Sequence, residues 1–170
     1  MTYFARWVAA AVLCAGTAHA QDDAPASGWA GRWRGTLVNH PARAGAPAVE
    51  VVREVGPLPV ADSSCTTFRT TYLEAGVTRG VKDYRLCRGA GIADWYVDEG
   101  DGTRLPARWL NGALVAPFKY DALLLIATTR VAGDVMEEEI LTIDDRPAVS
   151  GVQPLRPRAV QRLVLRRSGI

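Results

Sequence analysis

From residue 28 onward, apolar and polar positions alternate in short runs, the pattern of half-buried β-strands. The runs are rich in β-branched and aromatic residues and are broken by Gly, Asn and Asp, which favour turns. No helix is predicted. Even Glu137-Glu138-Glu139, which favours a helix by propensity, lies between apolar residues in a hairpin arm and is assigned to a strand. About eight to ten antiparallel strands are expected, and a meander of that length has to protect its edges. We therefore predict an all-β, up-and-down barrel, with a β-sandwich as the alternative.

Turn residues define several hairpins in the second half of the chain. Asn111-Gly112 is the strongest short hairpin pattern, and Gly100-Asp101-Gly102 and Gly133-Asp134 are two more. A two-residue loop at Gly133-Asp134 places Arg130 opposite Glu137. Outside the cysteine-containing hairpin, the predicted strands are Gly28–Asn39, Val49–Val55, Ala93–Asp98, Thr103–Leu110, Ala113–Phe118, Leu123–Val131, Val135–Ile143 and about Ala159–Arg167.

The N-terminus has the pattern of a cleaved export signal. Arg6 supplies a positive charge, Trp7 to Ala15 form an apolar run, and Ala18-His19-Ala20 is a small-x-small cleavage site. The apolar run is too short to cross a bilayer as a helix. We therefore expect a periplasmic or secreted protein. The predicted organisation is a signal peptide over residues 1–20, a flexible leader over 21–27 and a single domain over 28–170.

Cleavage would remove Cys14 and leave Cys65 and Cys87. In an oxidising compartment an isolated pair of cysteines predicts a disulfide. Lipid modification of Cys14 is the less favoured alternative, because that processing requires a small residue before the cysteine and Leu13 stands there.

The cysteine pair also predicts a strand register. A turn over residues 74–78 centred on Gly76 places Cys65 directly opposite Cys87, at a separation that a disulfide can bridge. The bridge would close a loop of about 23 residues, worth roughly 3 kcal/mol in the chain-entropy model. The same register creates an ion pair, an aromatic pair and a ring over a glycine: Arg69 with Asp83, Phe68 with Tyr84, and Tyr72 with Gly80.

Charge and residue counts narrow the function classes. Without Arg6 the chain has 19 basic and 18 acidic side chains, so we expect neither a nucleic-acid partner nor a membrane surface. No second apolar run approaches the length of a membrane span. After cleavage His40 is the only histidine, so the usual metal sites with several histidine ligands and the usual catalytic triads are not expected. The acidic turn Asp98–Gly102 has oxygen atoms that suit Ca²⁺ but lacks the rest of a calcium loop, so solvated turn charges are the favoured interpretation. We predict no metal, no cofactor and no enzymatic activity.

The segment Gly31-Arg32-Trp33-Arg34-Gly35 resembles the Gly-x-Trp first strand of lipocalin-like (calycin) barrels. Asp83-Tyr84 and Gly133-Asp134-Val135-Met136 are similar to later motifs of related barrels. The resemblance implies that Trp33 closes the barrel floor and that an Arg of the last strand, Arg162 or Arg166, packs across it. The chain departs from true lipocalins because no clear helix flanks the last strand and the disulfide lies within one hairpin.

A barrel of this kind has room for one small ligand. The candidate ligand-binding residues are Trp33, Phe68, Tyr72, Tyr84 and Arg162. A small apolar ligand is therefore one hypothesis. The simpler interpretation, that these side chains fill a solid core, is favoured at least equally.

A second hypothesis is a periplasmic protein-binding or inhibitor-type module without an internal ligand. It would bind an envelope protein through exposed strands or through a basic strip of Arg158, Arg162 and Arg166. A solvated edge strand protected by its charges is the favoured interpretation of that strip.

Overall fold

In the computed structural model, residues 25, 27–42, 44–147 and 151–169 are described. The predicted signal peptide over residues 1–20 lies outside this part of the chain, as does most of the predicted leader. The ten strands are β1 (Gly31–His40), β2 (Val49–Val55), β3 (Cys65–Glu74), β4 (Val77–Arg88), β5 (Trp95–Asp98), β6 (Arg104–Leu110), β7 (Ala113–Tyr120), β8 (Leu123–Ala132), β9 (Val135–Asp144) and β10 (Pro157–Ser168).

The strands form a single closed antiparallel sheet. Each strand pairs with the next along the chain, and β1 pairs with β10 to complete the barrel. The prediction of an all-β up-and-down barrel is confirmed, and the β-sandwich alternative is wrong. Closure leaves no edge strand, which resolves the edge problem of a long meander.

The cysteine hairpin has the predicted register. Cys65 is bonded to Cys87, and Arg69 faces Asp83, Phe68 faces Tyr84 and Tyr72 faces Gly80. Only the tip differs, because Leu73 faces Thr78 rather than Arg79. The turn is a two-residue loop with φ of 49° at Ala75 and 78° at Gly76. Such a turn matches the twist of the flanking strands. A bulge accommodates Arg79, which has no facing residue on β3.

The other predicted hairpins also form. Asn111 and Gly112 have φ of 48° and 69°, as a two-residue hairpin turn requires. Arg130 faces Glu137 across the Gly133-Asp134 turn. The strands differ from the predicted bounds mainly at their ends, where β5 begins at Trp95 and β7 continues to Tyr120.

The strands run alternately up and down, so the barrel has two distinct ends. We call the end where β1 begins the lower end and the end where β1 finishes the upper end. The lower end is filled by apolar side chains, and its deepest layer consists of indole rings. That layer, here called the floor, contains Trp29, Trp33, Trp95 and Trp109, none of them more than 1% exposed.

Candidate functional site

The floor is held by ring contacts and by two indole hydrogen bonds. Trp109 meets Trp29 and Trp95 edge to face, with ring centroids 4.8 and 5.7 Å apart. Trp33 Nε1 donates to the carbonyl oxygen of Trp29, and Trp95 Nε1 donates to that of Ile92. The Nε1 atoms of Trp29 and Trp109 are buried without a hydrogen-bond acceptor. Because the four tryptophans contact one another and are at most 1% exposed, the floor leaves no space for a ligand.

An arginine of the last strand does pack across Trp33, but it is Arg167. Its guanidinium carbon lies 4.2 Å from the centroid of the Trp33 ring, and Nη1 donates to the carbonyl oxygen of Ala30. Gly31 leaves room for this side chain, because a Cβ atom there would lie 2.5 Å from Arg167 Nη1. Its φ of +142° is also a backbone conformation that favours glycine. The assignment of this role to Arg162 or Arg166 was wrong. In β10 the residues alternate between inside and outside, and Arg162 pairs outside with Glu137 at 3.2 Å.

Above the apolar core, a charged pair crosses the barrel interior from β2 to β9. Arg53 binds Glu138 through two hydrogen bonds, Nη1 to Oε2 at 2.7 Å and Nη2 to Oε1 at 3.0 Å. Thr129 donates to Glu138 Oε2 at 3.0 Å, and Arg53 Nε donates to the Thr70 hydroxyl at 3.0 Å. We call these four residues the polar layer. All four side chains are buried, so the charges compensate each other away from water.

The polar layer remains ionised. Burial raises the pKa of the Glu138 carboxyl, but the charge of Arg53 and its hydrogen bonds outweigh this, and the pKa lies below its usual value. Burial likewise lowers the pKa of Arg53, and Glu138 reverses that effect, so the pKa lies above its usual value. Both partners therefore carry charge across the ordinary pH range.

Several inward-facing side chains of the upper half are more exposed than the indole rings of the floor. These side chains pack against the core but stay partly exposed, whereas Val51, also inward-facing, is fully buried. They are Leu37, Val49, Tyr72, Tyr84, Leu105 and Ala127. We call this set of partly exposed, mainly apolar positions above the polar layer the cup.

A lysine and two tyrosines mark one side of this cup. Lys82 Nζ lies 6.0 Å from the ring centroid of Tyr72 and 5.8 Å from that of Tyr84. Burial raises the pKa of the Tyr72 hydroxyl, and burial together with a hydrogen bond to Glu99 raises the pKa of Tyr84. Both phenols are therefore neutral near pH 7, and Lys82 contributes the positive charge.

The five candidate ligand-binding residues proposed from the sequence lie in different parts of the barrel. Tyr72 and Tyr84 line the upper half, Phe68 lies beneath the Arg53 guanidinium at 4.9 Å, and Trp33 belongs to the floor. Arg162 lies on the outer surface. Three of the five candidates are therefore near the cup or its base.

Sequence reasoning missed the polar layer and Lys82. The pattern nevertheless contained a usable indication, because Arg53 occupies an inward position in the alternating run of Val49, Val51 and Val55. Glu138 similarly lies between Met136 and Ile140. A charge at an inward position of a strand predicts a buried partner, but the sequence does not identify which one.

The described residues contain no group of three or more His, Cys, Asp or Glu side chains able to hold a metal ion. In the same part of the chain there is no helix long and apolar enough to cross a membrane.

Comparison with known proteins shows a likeness of fold. No family model and no curated protein matches the chain. Among solved structures it is similar to an S-type phycobiliprotein lyase from Guillardia theta, with 11% sequence identity and a TM-score of 0.52. The match covers 84% of this chain and 89% of the other. At this identity the likeness shows the barrel fold alone.

Proposed function

We propose that this protein is an exported barrel that binds a small, mainly apolar ligand in the upper half of its interior. The observation that carries the proposal is the difference in exposure between the two halves. Trp33 and Leu165, towards the lower end, are fully buried, whereas Leu37, Tyr72 and Ala127 remain partly exposed although they also face inward. Apolar side chains that face an incompletely filled interior favour an apolar guest.

The polar layer supports this location by forming the base of the cup. Glu138 and Arg53 neutralise each other, so a ligand above them meets no uncompensated charge. Arg53 uses three of its N–H groups in the bonds to Thr70 and Glu138. A guanidinium has five, so the remaining donors suit a polar atom at one end of an otherwise apolar molecule.

Export is supported by two features of the chain. Residues 1–20 have the pattern of a signal peptide, and Cys65 and Cys87 form a disulfide, a bond typical of proteins outside the cytoplasm. The location is tested by expressing the full chain and determining by mass spectrometry whether the exported protein begins at Gln21.

Ligand binding is tested on that exported protein. Native mass spectrometry would detect a retained guest, and titration with 1-aminoanthracene or a polyene fatty acid would detect uptake by fluorescence. Ala127→Trp places a large side chain in the cup and should abolish uptake. The matched control is Thr128→Trp, on the neighbouring residue that points out of the barrel. A protein that neither carries a guest nor takes up either probe contradicts the proposal.

The protein-binding alternative receives less support from the described residues. Two members of the proposed basic strip already have acidic partners on β9: Arg158 pairs with Asp144 at 3.1 Å and Arg162 with Glu137 at 3.2 Å. Such pairs reduce the positive field that an acidic partner would recognise. The absence of enzymatic activity stays a prediction, because a fold shared with a lyase at 11% identity does not transfer that chemistry to this chain.

A further inference from the structure

The wall of the barrel is interrupted between β6 and β7. These strands pair only next to their turn, at Leu110 with Ala113, Trp109 with Leu114 and Arg108 with Val115. Both strands nevertheless continue upward, and each remains paired with its other neighbour along that stretch. The upper parts of β6 and β7 therefore face each other without a ladder of hydrogen bonds.

Two prolines account for this gap. Continuing the observed register places Pro106 opposite Pro117. In an antiparallel pair joined by a two-residue turn, every second facing pair exchanges N–H···O bonds, and positions 110 with 113, 108 with 115 and 106 with 117 belong to that set. Proline has no N–H group, so neither bond can form at positions 106 and 117. The same absence of donors discourages a foreign strand from adding to the gap.

Little material separates the gap from the interior. The inward-facing residues at this level are Ala107 and Ala116, both of which belong to the core. Outside the gap lies a cavity of about 610 Å³, bordered mainly by apolar residues. Its lining includes Ile92, Pro106, Ala107, Val115 and Pro117. An apolar vestibule thus adjoins the unpaired part of the wall, with the loop before β5 as its lower border and Pro106 and Pro117 at the gap itself.

We propose that the β6–β7 gap is a lateral entry site, through which an apolar ligand passes from the outer cavity into the upper half of the barrel. This inference rests on the proposed function. The prolines keep the wall unpaired, so the strands can separate without breaking a hydrogen bond at positions 106 and 117. The apolar part of such a ligand suits this route, because the vestibule and the two alanines offer it apolar contacts.

The test restores the missing donors. Pro106→Val together with Pro117→Val allows two ladder bonds, which should slow association of 1-aminoanthracene in stopped-flow fluorescence by about tenfold or more. Dissociation should slow equally, because the same route serves both directions, so the equilibrium affinity changes little. Pro57→Val with Pro59→Val, in the loop after β2, is the matched control and should bind at the wild-type rate. Hydrogen exchange at the new amides of positions 106 and 117 verifies pairing.

A second variant covers the case in which the strands do not pair. Ala90→Trp narrows the vestibule from an exposed loop position and should also slow association, whereas Val60→Trp, on an exposed residue outside the cavity lining, should not. Gln161→Trp, in β10 near the upper end, obstructs that end of the barrel rather than the vestibule. The inference is overturned if protected amides at positions 106 and 117 leave the rate unchanged, or if only Gln161→Trp slows it. Absence of probe binding by the wild type contradicts the proposed function itself.

Discussion

The two halves of the barrel share one sheet but are built differently. The lower half is closed by four indole rings, each of which is at most 1% exposed. The upper half leaves several inward side chains partly exposed, among them Leu37, Tyr72 and Ala127. The comparison teaches that a closed sheet by itself does not determine how completely its inward side chains are buried.

The polar layer is the boundary between these halves. Below it, stability comes from burying apolar area, which contributes without regard to direction. Within it, stability depends on the geometry of a single charged pair whose partners are far apart in sequence. The two regions should therefore respond differently to substitution.

The largest effect is expected from truncating the floor. Trp33→Ala removes a fully buried indole and the surface on which Arg167 lies, so it should lower the free energy of unfolding by about 4 kcal/mol. Tyr72→Ala, in the upper half, should cost only about 1–2 kcal/mol, because part of that ring is already exposed. Urea denaturation of both variants measures the difference. Equal losses would mean that the upper half is packed like the floor.

A smaller effect is expected in the polar layer, where it should be reversible by a second substitution. Arg53→Met leaves Glu138 buried without its main partner and should cost about 3 kcal/mol. Arg53→Met combined with Glu138→Leu removes both charges and should recover most of this loss. Arg162→Met, which breaks an exposed pair, should change the free energy of unfolding by less than about 1 kcal/mol. If the double variant is no more stable than the single one, charge compensation is not what holds this layer.

The smallest effect is expected from acid. The pKa of Glu138 is lower in the folded protein than its usual value of 4.5, so its contribution to stability is present above that pH and is lost as the pH falls through the folded pKa. Wild-type protein should therefore lose more stability between pH 6 and pH 3 than the variant carrying Arg53→Met and Glu138→Leu. Denaturation curves across that range would test this, and parallel losses would contradict it.

The sequence predicted the elements better than it predicted the interior. Turn chemistry and the alternation of β-strands are local, so Asn111-Gly112 and the register between Cys65 and Cys87 were available from neighbouring residues. The pairing of Arg53 with Glu138 joins β2 to β9 across the barrel and depends on how the sheet curls. Arg167 illustrates the same limit, because a shift of a single residue along β10 moves a side chain to the other face.

The position of the tryptophans has a spectroscopic consequence. The chain contains five, and all except Trp7 lie in the floor. If the predicted signal peptide is removed, indole emission therefore reports on the lower end alone. A ligand that does not absorb where indole emits should leave that emission nearly unchanged when it fills the upper half, while absorbance from Tyr72 and Tyr84 would respond. Under the proposed function, a flat tryptophan titration is thus expected with such a non-absorbing ligand.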